Sequence, residues 1–145
     1  MNINAGQIKE HRVLLLVEDD EDHARIIQKA LSLTIKAIPH IVWVNNGQKA
    51  INYVSRSGTY KNKRTPAPGL VLLDIKLPIK DGFEVLRYMR DNKQYKDIPV
   101  ITLSTSSRPE DIERALKLGA KDYIVKPNTF TEFKRKMKEV GERWI

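Results

Sequence analysis

No cysteine occurs among the 145 residues, which excludes a disulfide framework, thiolate-held zinc and a thiol nucleophile. Long apolar runs are missing too. The longest is Val13–Val17, against the roughly 20 residues a membrane-spanning helix needs. The start, MNINAGQIKEHR, has no apolar segment, so neither signal peptide nor membrane partner is expected, and the expected location is cytoplasmic. Neither G-x-G-x-x-G nor G-x-x-x-x-G-K is present, which removes the common nucleotide-binding loops. Glycine and proline number 7 each and aromatics make up 7%, too little for a fibrous or low-complexity chain. With 41% hydrophobic and 30% charged residues, the composition is that of one ordinary globular domain, long enough to bury a proper core.

Acidic residues are the scarcer charge: 18 against 26 basic, a net +8. That excess raises the question of nucleic acid. The cations are dispersed, however, with small groups at Lys61, Lys63 and Arg64 and at Lys134, Arg135, Lys136 and Lys138. No helix-turn-helix, zinc finger or aromatic-flanked basic strand accompanies them. Solvated loop and helix faces account for these groups, and no nucleic-acid partner is expected.

What is present is a recurrence of short apolar runs: Val13–Val17, Ile41–Val44, Leu70–Leu73, Val100–Leu103 and Tyr123–Val125. Unbroken runs of this length fit parallel strands covered on both faces. Between them lie helical stripes such as Ala24, Ile27 and Leu31, then Val85, Leu86 and Met89, and finally Phe133, Met137, Val140 and Trp144. Asp81 with Glu84 reads as a capping box, Ser107-Arg-Pro-Glu110 as a second, and Asn45-Asn46-Gly47 opens a helix to about Arg56. Five βα units in this order predict an α/β, doubly wound, five-stranded parallel sheet with right-handed crossovers. Such sheets bind ligands beyond the carboxyl ends of their strands.

Those ends carry Glu18-Asp19-Asp20, Asp74, Ser104-Thr105 and Lys126-Pro127. A single acid at a strand end is commonly just the cap of the next helix, and Asp19 or Asp20 alone would be read so. Several carboxylates, a hydroxyl and a lysine at four ends of one sheet are harder to dismiss. Crowded carboxylates raise one another's pKa, and a hard divalent ion such as Mg²⁺ resolves the conflict with oxygen ligands. Metal, carboxylate, hydroxyl and lysine together suit phosphoryl chemistry, in which a carboxylate can become an acyl phosphate.

These residues resemble the receiver domain of two-component response regulators. The resemblance is carried by Leu-Leu-Val-Glu18-Asp19-Asp20, by Leu-Leu-Asp74-Ile-Lys-Leu-Pro78 with Asp81-Gly82, by Pro99-Val-Ile-Thr-Leu-Ser104, and by Gly119-Ala-Lys-Asp-Tyr123-Ile-Val-Lys126-Pro127. It implies a CheY-like, flavodoxin-type (βα)5 fold with strand order 2-1-3-4-5, an N-terminal extension over 1–11 and a single receiver domain over 12–145 with no output domain. Asp74 would accept a phosphoryl group from a sensor histidine kinase, assisted by Ser104 and Lys126. Mg²⁺ would be held by Glu18, Asp19, Asp74 and the backbone carbonyl of Lys76. Ser104 and Tyr123 would form the switch that reshapes the helix 4–strand 5–helix 5 face, and the bond before Pro127 would be cis. The protein would be a signalling phosphoacceptor rather than an enzyme, catalysing only its own phosphorylation and dephosphorylation.

Within the family the Tyr60–Gly69 insert, Leu-Ser104-Thr105-Ser106 and the tail Trp144-Ile145 are similar to phytochrome-associated Rcp-type regulators. That likeness implies a phytochrome-type kinase, a downstream phosphotransfer or target protein, and a homodimer on the helix 4–strand 5–helix 5 face. For the tail, a helix end folded back on its own core is an equal alternative. Glu18 stands where an aspartate is commoner, Ser104 where threonine is, and Thr105 where a small residue is; the last would narrow access to Asp74. Haloacid dehalogenase-type phosphatases also use an aspartate after an apolar strand, but need a second acid two residues on, where this chain has Lys76.

Overall fold

The computed structural model describes residues 13–36, 40–63 and 65–145. The expected extension over 1–11, Arg12 and the loop cation Arg64 lie outside these residues. Five parallel strands, β1 (Val13–Val17), β2 (His40–Val44), β3 (Pro68–Leu73), β4 (Val100–Ser104) and β5 (Asp122–Val125), pair in the order β2-β1-β3-β4-β5. Around them lie α1 (Glu21–Thr34), α2 (Gly47–Ser55), α3 (Gly82–Asp91), α4 (Pro109–Lys117) and α5 (Phe130–Trp144). The loop after α2 also holds a short 3₁₀ turn at Gly58–Tyr60.

Burial follows position in the sheet. β1 and β4 are buried at every residue and β3 at all but Gly69. The edge strands β2 and β5 are only partly covered, so expecting both faces of all five to be buried was right for the centre and wrong for the edges. Alternate residues of the central strands feed two cores. Leu15, Val17, Val71 and Leu73 pack under α2, α3 and α4. Leu14, Leu16, Leu70 and Leu72 pack under α1 and α5, together with Ile27, Leu31, Phe133 and Met137. Trp144 and Ile145 fold back, half-buried, onto this second core. Arg114 of α4 rests on the Phe83 ring of α3, 4.1 Å from its centroid.

The helix starts explain where the strand ends point. Asp20 caps α1 by accepting from the backbone N–H groups of Asp22 and His23. Asn46 caps α2 and Asp81 caps α3 in a complete capping box with Glu84. The second box is corrected: α4 has Arg108 at its cap with no side-chain bond, and Pro109 follows in the first turn. Ser106 takes over instead. Its hydroxyl donates to Asp111 in the first turn of α4 and accepts from the Arg108 N–H, so the helix is tied to the end of β4 rather than to its own preceding residue.

The crossovers also sort charge. Beyond the carboxyl ends of the strands lie Glu18, Asp19, Asp20, Glu21, Asp22, Asp74 and Asp81. At the opposite end, in the loops leading into the strands, lie Lys36, Lys61, Lys63, Lys93, Lys96 and Lys121, none of them in an ion pair among the described residues. No helix among the described residues is long and apolar enough to cross a membrane.

Candidate functional site

Backbone bonds between neighbouring strands align the acidic ends. The Glu18 N–H donates to Val44 O at 3.0 Å and the Asp74 N–H to Val17 O at 3.0 Å. The Lys126 N–H donates to Ser104 O at 2.7 Å, so the residues just past β1, β3 and β5 are each tied to the end of a neighbouring strand. Gly82 lets the chain after β3 turn back over these ends: a Cβ there would lie 2.4 Å from Asp74 O and 2.6 Å from Ile75 Cα. The same loop holds Ile79 in the left-handed region, φ 70°, with 75% of its surface exposed, a strained conformation for a β-branched residue.

Glu18 and Asp74 are buried, and Asp19 beside them is exposed. One carboxylate oxygen from each of the three falls within 4.8 Å of the others. Asp74 Oδ1 accepts from the Lys76 N–H at 3.1 Å, and Oδ2 accepts from Lys126 Nζ at 2.9 Å. Lys126 Nζ also donates to Glu18 Oε1 in a short ion pair. Burial pushes the Glu18 carboxyl up to about 7, the Lys126 hydrogen bond opposes this, and the Asp74 charge adds to it. For Lys126, burial pulls the ammonium down, but the hydrogen bonds to Glu18 and Asp74 outweigh it and leave it raised. Three carboxylates against one ammonium leave the pocket negative, and every free donor is a hard oxygen. That donor set fits a small divalent cation such as Mg²⁺ or Mn²⁺.

Ser104 is fully buried, its hydroxyl accepting from the Ser106 N–H at 3.3 Å. The Tyr123 hydroxyl donates to the Ser106 carbonyl at 2.8 Å. Ser104 and Tyr123, singled out separately in the sequence, thus meet on one residue. The expected cis bond before Pro127 is corrected, since no cis peptide occurs among the described residues. Lys126 is aimed inward by its ladder bond to Ser104 and by the two carboxylates. Thr105 is exposed, on the wall of a cleft of about 530 Å³ between α1 and the start of α5 that also touches Lys126 and His23.

Two contacts escaped the sequence reading. Trp43 donates its indole N–H to the Glu18 carbonyl at 2.7 Å. His23 places Nδ1 3.0 Å from Lys126 Nζ. The signals were there in part: Trp43 is one residue before the end of β2, and His23 is one turn into the helix that Asp20 caps.

Comparison with known proteins agrees with this geometry. Residues 14–138 match the response regulator receiver domain family. The response regulator Rcp1 of Synechocystis sp. is 32% identical over 135 residues, covering 92% of this chain and 89% of that protein. A probable methanogenesis regulatory protein, FilR2 of Methanothrix harundinacea, is 33% identical over 133 residues, covering 92% and 83%. Among solved structures, the phosphorylated cyanobacterial phytochrome response regulator RcpA superposes with a TM-score of 0.84 at 36% identity, covering 92% of this chain and 94% of that one. The Mn²⁺-bound form of Rcp1 gives 0.82 at 32% over the same shares. The match spans nearly the whole described sheet and its flanking helices, and this chain belongs to the response regulator receiver domain family.

Proposed function

We propose that the protein is a signalling phosphoacceptor whose nucleophile is Asp74, charged by a sensor histidine kinase. The observation that carries this is the Asp74 carboxylate: buried beyond the central strand, held on both oxygens by Lys76 N–H and Lys126 Nζ, and within 4.8 Å of two further acids. An Asp74 oxygen attacks the phosphorus of a phosphohistidine in line. A P–O bond forms as the P–N bond breaks, and the imidazole keeps the electron pair. Glu18, Asp19, Asp74 and the Lys76 carbonyl would hold Mg²⁺, which when bound supplies charge neutralisation on the phosphoryl oxygens. Lys126 turns an N–H toward a second phosphoryl oxygen. Ser104 donates its hydroxyl to a third, and in moving draws on the Ser106 N–H. Because Ser106 also holds the Tyr123 hydroxyl and Asp111 of α4, that motion reaches the α4–β5–α5 face. Hydrolysis of the acyl phosphate in the same pocket resets the switch.

Residues 12–145 form a single receiver unit in this reading, cytoplasmic because its donor kinase is. The RcpA and Rcp1 likenesses support a phytochrome-type kinase upstream and a phosphotransfer or target protein downstream. A homodimer through the α4–β5–α5 face is supported by exposed Leu116 and Val125 there; the half-buried Trp144 and Ile145 serve mainly their own core. Intact mass after incubation with Mg²⁺ and acetyl phosphate tests the central step. One added phosphoryl is expected, absent without Mg²⁺ and absent in Asp74→Asn. Equal addition in that variant would overturn Asp74 as the acceptor.

A further inference from the structure

The Lys126 ammonium has three N–H bonds, and the acceptors around it number three. Two are the carboxylates of Glu18 and Asp74. The third is His23 Nδ1 at 3.0 Å. An ammonium nitrogen can only donate, so this contact requires Nδ1 to be unprotonated and places the imidazole proton on Nε2. The surroundings agree. Nε2 faces the Asp20 carboxylate, 3.9 Å from Oδ2, and that residue also accepts the His23 backbone N–H at 3.1 Å. One side chain thus fixes where the histidine sits and lies on the side where its proton must be. Nδ1 is 3.8 Å from Glu18 Oε1, so the two acceptors occupy separate directions around Nζ. Glu18 and Asp74 approach from the buried side, and His23, on the wall of the 530 Å³ cleft, is the partner nearest solvent.

We propose that His23 is a positioning residue for Lys126, its ring Nδ1 serving as the third acceptor that fixes the ammonium's orientation. The inference rests on the reading of Asp74 as phosphoacceptor. A lysine head is a point charge on a flexible four-carbon stem with freely rotating donors, so its direction comes from its acceptors. With Glu18 and His23 holding two N–H bonds, the third is left aimed at Asp74 Oδ2. When Asp74 is phosphorylated, that single N–H passes to a phosphoryl oxygen while the other two stay in place. Without the imidazole, one N–H is released to water and the ammonium can rotate away from the reacting atoms.

Two measurements test this on the full chain. Long-range ¹H–¹⁵N correlation of the histidine rings should show His23 with the proton on Nε2, and its Nδ1 signal should move in Lys126→Ala. A protonated Nδ1, or an Nδ1 indifferent to that substitution, overturns the contact. In the second, acetyl phosphate and Mg²⁺ phosphorylate wild type, His23→Leu and His23→Gln, each checked for folding by circular dichroism. Loosening rather than removing the lysine should lower the maximal rate about tenfold in His23→Leu, with the half-saturating donor concentration and Mg²⁺ affinity unchanged. His23→Gln, whose amide oxygen can accept, should recover most of the rate. A His23→Leu rate equal to wild type overturns the role, as does a loss that glutamine fails to relieve. If wild type itself takes no phosphoryl, the phosphoacceptor reading fails and the transfer role with it, while the ring spectra still report whether the contact exists.

Discussion

Glu18 has a buried carboxyl close to that of Asp74. Its carboxyl is raised to about 7 by burial, so the native state holds on to a proton that the unfolded chain releases near the ordinary glutamate value of about 4.3. Stability from this group is complete below that value and is lost as pH rises through about 7. Urea midpoints of the metal-free protein should therefore fall from pH 5 to pH 8. Glu18→Gln should flatten that fall while weakening Mg²⁺ binding, and a wild-type profile that does not decline would refute the assignment. Mg²⁺ should restore wild-type stability at pH 8, by about 2.7 kcal/mol at a hundred times its Kd, and a chelator should remove the gain. Ile79 stores strain in the backbone. Its positive φ and exposed side chain mean that Ile79→Gly removes strain and little packing. A gain of about 1 kcal/mol is expected, read from the same urea curves; destabilisation would show that the isoleucine makes a contact worth more than its strain.

Helix starts set the geometry at the scale of elements, and they differ in how they are built. The α3 box is local: Asp81 accepts from the Glu84 N–H at 2.9 Å, and Glu84 reaches back to Asp81. Asp81→Ala should cost about 1 kcal/mol in thermal or chemical denaturation, and a cost near zero would mean the loop at Gly82 alone holds the helix start. The α4 start is not local, because Ser106, buried beside β4, ties down Asp111. This contrast explains what the sequence disclosed. Asp20, Asn46 and Asp81 act within three residues of themselves and were legible as caps or helix openers, as were the five apolar runs that became strands. The Ser107–Glu110 spacing looked equally local, yet the fold offered Ser106 a better-buried partner. At the site, Glu18, Asp74, Ser104 and Lys126 were readable because each follows directly on an apolar run. His23 and Trp43 were not, since their contacts join α1 to β5 and β2 to β1 across separations that no spacing rule records.

The whole molecule is electrically lopsided. Because all five strands pair in parallel, every carboxyl end lies on one side, where Glu18, Asp19, Asp20 and Asp74 gather, while the loop lysines and Asp97 lie at the other end. Lys36, Lys61, Lys63, Lys93, Lys96 and Lys121 thus lie at the end of the sheet away from Asp74. Within the pocket the carboxylates of Glu18, Asp19 and Asp74 oppose an anionic donor, and Lys126, together with a divalent cation were one bound, would act against that opposition.

The same lopsidedness gives the protein a built-in handle. On a sulfonated ion-exchange bead or a silica chip at low salt, it should settle on its lysine end and stand with the phosphorylation pocket facing the liquid. Protein immobilised this way should take up phosphoryl from acetyl phosphate nearly as fast as protein in solution, and should wash off as salt shortens the screening length toward a few ångströms. Replacing Lys96 and Lys121 with glutamate should loosen this grip far more than replacing Lys29 and Lys134, which flank Phe130 near the cleft. Equal loss from the two pairs would mean that the molecule lands without a preferred side.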